Sequence, residues 1–102
     1  MELTKKEKEF FEKYFSKHET KHDIELEDWT NGGVDMLIYL DKETNETATT
    51  QFKNFIDNFD IDDEIDIHRQ NKLYRDNFSI RESLKDFQEW LNWLKHIYKE
   101  LV

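Results

Sequence analysis

The chain has 102 residues, a length typical of one domain. It carries 24 Asp and Glu residues against 15 Lys and Arg residues, so its formal net charge is -9 at pH 7. The absence of cysteine excludes a disulfide framework, a thiolate zinc site and a thiol nucleophile. Affinity for nucleic acid comes from Lys and Arg contacts to phosphates, so we expect this acidic chain not to bind nucleic acid directly.

The composition favours a folded protein outside the membrane. No stretch approaches the roughly 20 apolar residues of a membrane span, and the first residues lack the apolar core of a signal peptide. We therefore expect a cytoplasmic protein. Eight Phe, four Tyr and three Trp are too many for a disordered acidic tail, because such rings bury large areas. These counts predict a single domain over residues 1–102.

The first predicted element is a helix over residues 4–20. Thr4 and Glu7 have the T-x-x-E spacing of a capping box, in which each residue satisfies a backbone donor near the other. Four aromatic residues share one face of this helix: Phe10, Phe11, Tyr14 and Phe15.

A β-hairpin follows, with strands predicted over 23–30 and 34–40. Apolar and charged residues alternate in the first strand, and Asn31-Gly32 is a strong signal for a tight hairpin turn. The second strand is apolar on both faces, so we expect it to be the inner strand. Two strands alone are marginal in water, and the hairpin should be covered by helices.

The second half of the chain predicts helices. Apolar residues at helical spacing predict a helix over 47–59, and a heptad-like seam predicts a long last helix that begins near a Ser79/Glu82 capping box. Residues 60–78 are compatible with a strand, a helix or a loop, with a slight preference for a strand near 64–68. The predicted order is α-β-β-α-(β)-α, an α+β fold with an antiparallel hairpin packed by about three helices.

The acidic residues are concentrated in the middle of the chain. Residues 23–66 hold fourteen acidic residues and two lysines, whereas both flanks carry a small positive charge. The densest run is Asp57, Asp60, Asp62, Asp63, Glu64 and Asp66. Such a run either keeps the protein soluble or forms a surface for a basic partner, which a strong field would attract rapidly. The second interpretation adds three residues of the hairpin to the binding surface: Glu25, Glu27 and Asp28.

A second apolar stripe lies on the last helix. Trp90, Trp93 and Ile97 form this stripe beside the main seam. The helix is then either sandwiched within the monomer or in contact with a second copy or another partner, because Trp is favoured at interface hot spots.

One short motif suggests metal chemistry. His18-Glu19-Thr20-Lys21-His22 matches H-E-x-x-H, which on a helix places two imidazoles around zinc beside a general base. It falls at a helix end and no third ligand is evident, so a zinc hydrolase is a remote alternative. We otherwise expect no catalytic residues and no cofactor.

Three segments of the chain, within Trp29 to Leu101, carry a resemblance: GGVDMLIYLD, FIDNFDIDDEIDIHRQ and FSIRESLKDFQEWLNWLK. Together they resemble small acidic proteins of bacterial mobile elements, of the anti-restriction and anti-CRISPR kind. The resemblance implies an inhibitor that occupies the basic nucleic-acid groove of a host enzyme, such as an RNA-guided or restriction nuclease. The alternative is a homodimeric accessory protein of a mobile element, with acidity that serves only solubility.

Overall fold

The computed structural model describes residues 1–29, 35–70 and 80–102, and it has the α+β fold that the sequence predicts. In chain order the elements are α1 (Lys5–Tyr14), β1 (Ser16–Glu19), β2 (Asp23–Trp29), β3 (Asp35–Asp41), α2 (Ala48–Asn58), α3 (Ile61–Gln70) and α4 (Ile80–Tyr98). The three strands form one antiparallel sheet in the order β1-β2-β3.

The predicted hairpin is confirmed as β2 and β3, with Ile24 opposite Leu40 and Trp29 opposite Asp35. Its Asn31-Gly32 turn lies outside the described residues. The prediction that the second hairpin strand is the inner one is wrong, because β1 pairs with the other side of β2 and makes β2 central. Apolar residues on both faces of β3 therefore do not reflect a central position.

The first helix ends six residues earlier than predicted. Phe15 has an extended conformation, and the chain continues directly into β1. Residues 16–23 contain no apolar side chain, so further helical turns would bury nothing, and isolated helical turns are marginal in water. As a strand, the same residues gain backbone hydrogen bonds to β2.

Residues 61–70 form α3, so the preference for a strand near 64–68 is wrong. Ile61 and Ile65 are four residues apart, a spacing that fits a helix as well as it fits a strand. The last helix is confirmed as α4, although its predicted start at Ser79 lies outside the described residues.

The core lies between the sheet and the helices. The inner face of the hairpin contributes Ile24, Leu26, Met36, Ile38 and Leu40, all buried. Phe52 of α2 is fully buried and lies edge-on to rings from α1, with 5.7 Å between its centroid and that of Phe10 and 5.9 Å to that of Phe11. Edge-to-face pairs of this kind add stability beyond the area they bury.

One buried carboxylate joins the starts of α1 and α2. Glu7 is 4% exposed. Its Oε1 accepts a hydrogen bond from the Thr4 backbone N–H at 2.9 Å, while the Thr4 hydroxyl accepts from the Glu7 N–H, which confirms the predicted capping box. Its Oε2 accepts from the backbone N–H and the hydroxyl of Thr49, at 2.7 Å and 2.8 Å. A single side chain thus satisfies donors at the first turns of two helices.

Replacement of Glu7 tests this link. We expect Glu7→Ala to lower the free energy of unfolding by about 2–4 kcal/mol, because α1 loses half of its cap and the partly buried Thr49 N–H loses its acceptor. Chemical denaturation followed by circular dichroism measures this loss. Glu9→Ala on the exposed side of α1 is the matched control, with an expected change within about 0.5 kcal/mol. Equal losses in the two variants would contradict the link.

The same carboxylate should make stability depend on pH. Burial raises the pKa of Glu7, but the hydrogen bonds from Thr4 and Thr49 outweigh burial and hold the pKa below its ordinary value of 4.5. The ionised form therefore stabilises the fold above that value, and this contribution is lost as the pH falls through the lower pKa of the folded state. We expect the stability difference between wild type and Glu7→Gln to be largest near neutral pH and to shrink below pH 4.5. Denaturation at a series of pH values measures it, and a constant difference would contradict the prediction.

Candidate functional site

The densest acidic run forms a surface corner where α2 ends and α3 begins. The acidic corner consists of Asp57, Asp60, Asp62, Asp63, Glu64 and Asp66. All of these residues are exposed except the half-buried Glu64. Beside the corner lies an open cleft of about 480 Å³, with Phe59, Ile61 and Leu84 among its lining residues. The structure therefore presents the predicted run as one acidic surface with apolar side chains beside it.

Asp60 has a structural role that the sequence analysis did not assign. Its Oδ1 accepts hydrogen bonds from the backbone N–H groups of Asp62 and Asp63 at 3.0 Å and 3.2 Å, and its carbonyl accepts from that of Glu64 at 3.1 Å. It is thus the N-cap of α3, and the next three acidic residues lie in the first turn, where the helix dipole favours negative charge. Part of the acidic density therefore serves to start a helix.

The carboxylates of the corner differ in their electrostatic surroundings. Asp57 forms an ion pair with Lys53 one turn earlier, and this contact raises the pKa of Lys53. Burial, together with the neighbouring Asp63, raises the pKa of Glu64. Asp62, Asp63 and Asp66 form no ion pair within the part of the chain that the structure describes. These three are the carboxylates best placed to meet a cationic partner.

The predicted hairpin acids separate onto two sides of the sheet. Glu25 and Glu27 point away from the helices, on the side that we call the outer sheet face. Glu27 contacts the imidazole of His18 at 3.3 Å, and the Glu25 carboxylate raises the pKa of the neighbouring Tyr39. Asp28 has the opposite orientation: its Oδ2 accepts a hydrogen bond from the Trp90 indole N–H at 3.2 Å. Asp28 therefore supports the core and does not belong to the outer sheet face.

The second apolar stripe of α4 is mostly buried in the monomer. Trp90 is 4% exposed and Ile97 is 2% exposed, and the partly buried Trp93 packs against the rings of Tyr14 and Phe15. Of the two interpretations, the burial of Trp90 and Ile97 supports a helix that is covered within the monomer. A dimer contact stays a prediction, and Trp90 and Ile97 contribute little exposed surface to it, since both side chains already pack against the core.

The H-E-x-x-H motif does not lie on a helix. His18 is in β1 and His22 is in the turn that follows, so the two imidazoles are not set one helical turn apart. Each contacts a carboxylate instead: His18 that of Glu27, and His22 that of Glu43 at 2.8 Å. Over residues 1–29, 35–70 and 80–102, no three His, Asp or Glu side chains come together in a way that could hold a metal ion. The structure thus contradicts a helical zinc site at His18 and His22.

Comparisons with known proteins found no family model, no curated protein and no solved structure that matches this chain. The resemblance to small acidic proteins of mobile elements therefore stays an expectation. None of the helices in the described parts of the chain combines the length and apolar character that a membrane span needs.

Two exposed apolar side chains were missed as candidate site residues. Leu37 is 43% exposed and Tyr39 is 59% exposed, and both lie on the outer sheet face of β3. The period-two alternation along the strand already placed them on one face, opposite the buried Met36, Ile38 and Leu40. In the sequence, their apolar character instead supported the prediction that this strand is the inner one.

The cap of α3 gives a prediction that separates structure from charge. We expect Asp60→Ala to lower the free energy of unfolding by about 1 kcal/mol, because two backbone N–H groups lose their acceptor. Asp60→Asn removes the same charge but keeps a capping oxygen, so it should stay near wild type. Thermal or chemical denaturation of both variants measures this. Equal stability of Ala and Asn variants would show that the cap does not stabilise α3.

Proposed function

We propose that this chain is a non-enzymatic acidic binding protein that docks onto the basic nucleic-acid groove of a nucleic-acid enzyme, such as an RNA-guided or restriction nuclease. The observation that supports this most directly is the acidic corner, where Asp62, Asp63 and Asp66 are exposed and form no ion pair within the described residues. Lys and Arg residues that hold phosphates are the complementary surface.

The corner is held in place by contacts on both sides. Asp60 caps α3 from the surface, and Phe59 packs beneath it against Trp90, with 5.3 Å between ring centroids. Asp62 and Asp66 are four residues apart on α3, so their Cβ atoms lie about 5–6 Å from one another on one helix face. Carboxylates in fixed positions lose little freedom on binding, which favours recognition of a groove with fixed cations.

The distribution of charge also favours an oriented encounter. The exposed lysines Lys5, Lys6 and Lys8 lie in α1, whereas the acidic corner is carried by α2 and α3. A surface of one sign speeds association with an oppositely charged groove. Such binding weakens as salt screens the charges.

A capture experiment with matched variants tests this proposal. The full chain is immobilised and exposed to a bacterial lysate freed of nucleic acid, and bound proteins are eluted with salt and identified. The corner variant is Asp62→Asn, Asp63→Asn and Asp66→Asn, which leaves the Asp60 cap and the Asp57–Lys53 pair intact. The control variant is Glu2→Gln, Glu9→Gln and Glu12→Gln, which removes the same charge from the first helix and its flank.

We expect wild type and the control variant to retain a nucleic-acid enzyme. Addition of the DNA or RNA that this enzyme binds should release it from the immobilised chain. The corner variant should retain about tenfold less of it, since close charge pairs at such interfaces are each worth more than 1 kcal/mol. Equal capture by the corner variant would contradict docking through the acidic corner. If the captured enzyme stays bound when its nucleic acid is added, the result would contradict occupation of the groove.

A further inference from the structure

Among the described strands, β3 lies at the edge of the sheet, and one side of its backbone faces away from β2. Lys42, just beyond the strand, donates its backbone N–H to the His22 carbonyl. The backbone N–H and C=O groups of even-numbered residues in β3 therefore point toward β2, and those of odd-numbered residues point outward, away from the sheet. At Asp41 the outward groups are occupied by a side-chain amide: the Asp41 N–H donates to Gln51 Oε1 at 2.7 Å, and Gln51 Nε2 donates to the Asp41 carbonyl at 3.0 Å. Gln51 therefore makes the pair of bonds that a neighbouring strand would make.

The next two outward positions are Leu37 and Tyr39. Within the described part of the chain, no residue outside the sheet hydrogen-bonds the backbone of either one. Natural proteins usually protect such edges with Lys, Pro, a bulge or a covering element. The sequence of β3 contains neither Lys nor Pro, and its two ends are Asp35 and Asp41. Over residues 1–29, 35–70 and 80–102, nothing hydrogen-bonds the edge at Leu37 and Tyr39, between the two acidic ends of the strand.

The surface beside this edge is acidic and partly apolar. The described side chains of the outer sheet face on β2 and β3 are Asp23, Glu25, Glu27, Leu37, Tyr39 and Asp41. None of the three strands places a Lys or Arg side chain on the outer sheet face. A second copy of this chain would bring the same acidic side chains to the edge, and like charges oppose that pairing. Charge complementarity therefore selects a basic occupant.

We infer that an extended basic segment of the partner pairs with β3 as a fourth strand, an inference that rests on the proposed function. On the outer sheet face, the side chains of this added strand would be Lys or Arg, with their aliphatic stems against Leu37 and Tyr39 and their charged ends toward the carboxylates of β2. On the face toward the core, its side chains would be apolar, since they continue the buried row of Met36, Ile38 and Leu40. This strand addition supplies backbone hydrogen bonds that the acidic corner does not offer.

Defined peptides test the inference on the full chain. The probe is a peptide of alternating Lys and Val, about eight residues long to match a typical strand. A Lys-Gly peptide has the same charge but a poor tendency to form a strand, and a Glu-Val peptide has the opposite charge. Calorimetry gives the affinities, and amide chemical shifts locate the site. We expect the Lys-Val peptide to bind at Leu37 and Tyr39, about tenfold more tightly than the Lys-Gly peptide.

Two substitutions at one position separate backbone from side chain. Leu37→Pro removes the outward N–H without removing a donor to β2, whereas Leu37→Ala keeps that N–H. We expect the Pro variant to bind the Lys-Val peptide about tenfold more weakly than the Ala variant. Circular dichroism checks that both fold. If the Pro variant does not fold, the double variant Glu25→Gln, Glu27→Gln takes its place. It should bind the Lys-Val peptide more weakly, because the Lys residues of the peptide lose their carboxylate partners.

Several outcomes would overturn the inference. Equal affinity for the Lys-Val and Lys-Gly peptides, with shifts confined to residues 57–66, would place binding at the acidic corner and leave the proposed function standing. Equal affinity for the Glu-Val peptide would show that the edge does not select a basic strand. Dimers abolished by Leu37→Pro in sedimentation experiments would identify a second copy as the occupant. The proposed function fails by a different result, capture unaffected in the corner variant.

Discussion

The fold depends on the Glu7 carboxylate, which is shared by the first turns of α1 and α2. Each helix start leaves backbone N–H groups without a partner inside the helix, and here one buried side chain accepts from both. This fixes the two helices relative to one another at their N-terminal ends. Phe10 and Phe11 can then lie against Phe52 with ring centroids less than 6 Å apart. A charged group at this position is stabilised because its oxygens accept several hydrogen bonds, which compensates for its removal from water.

Helix α2 connects this link to the acidic corner through its packing contacts. Phe52 packs toward α1, whereas Phe55 and Phe59 pack on the ring of Trp90 in α4. The indole N–H of Trp90 reaches Asp28 at the far end of β2. The chain of contacts from Asp28 through Trp90 to Phe59 links the C-terminal part of β2 to the acidic corner. The core therefore determines where the exposed carboxylates lie.

The sequence predicted those elements whose signals are local. The Thr4/Glu7 box, the alternation in the hairpin and the helical spacing in α2 and α4 all require only neighbouring residues, and all four elements formed. β1 was missed because its polar sequence is a strand only through its pairing with β2, which local patterns do not reveal. The acids of the corner were predicted as a cluster, but the capping role of Asp60 was not, because the sequence left residues 60–78 open between strand, helix and loop. The sequence left Trp90 open between the monomer core and an interface, because its partners Phe55, Phe59 and Asp28 come from distant parts of the chain.

The acidity of this chain therefore has parts with different physical origins. Glu7, Asp28 and Asp60 stabilise the fold through hydrogen bonds that their oxygens accept. The carboxylates on α3 and on the outer sheet face lie near one another and repel, which opposes the favourable effect of the helix dipole on those in the first turn of α3. Carboxylates on a helix attract many cationic surfaces, whereas an open strand edge accepts only an extended segment with matching backbone geometry. In the proposed complex, charge would bring the basic partner to this molecule rapidly, and the edge of β3 would supply the directional contacts that distinguish one basic partner from another.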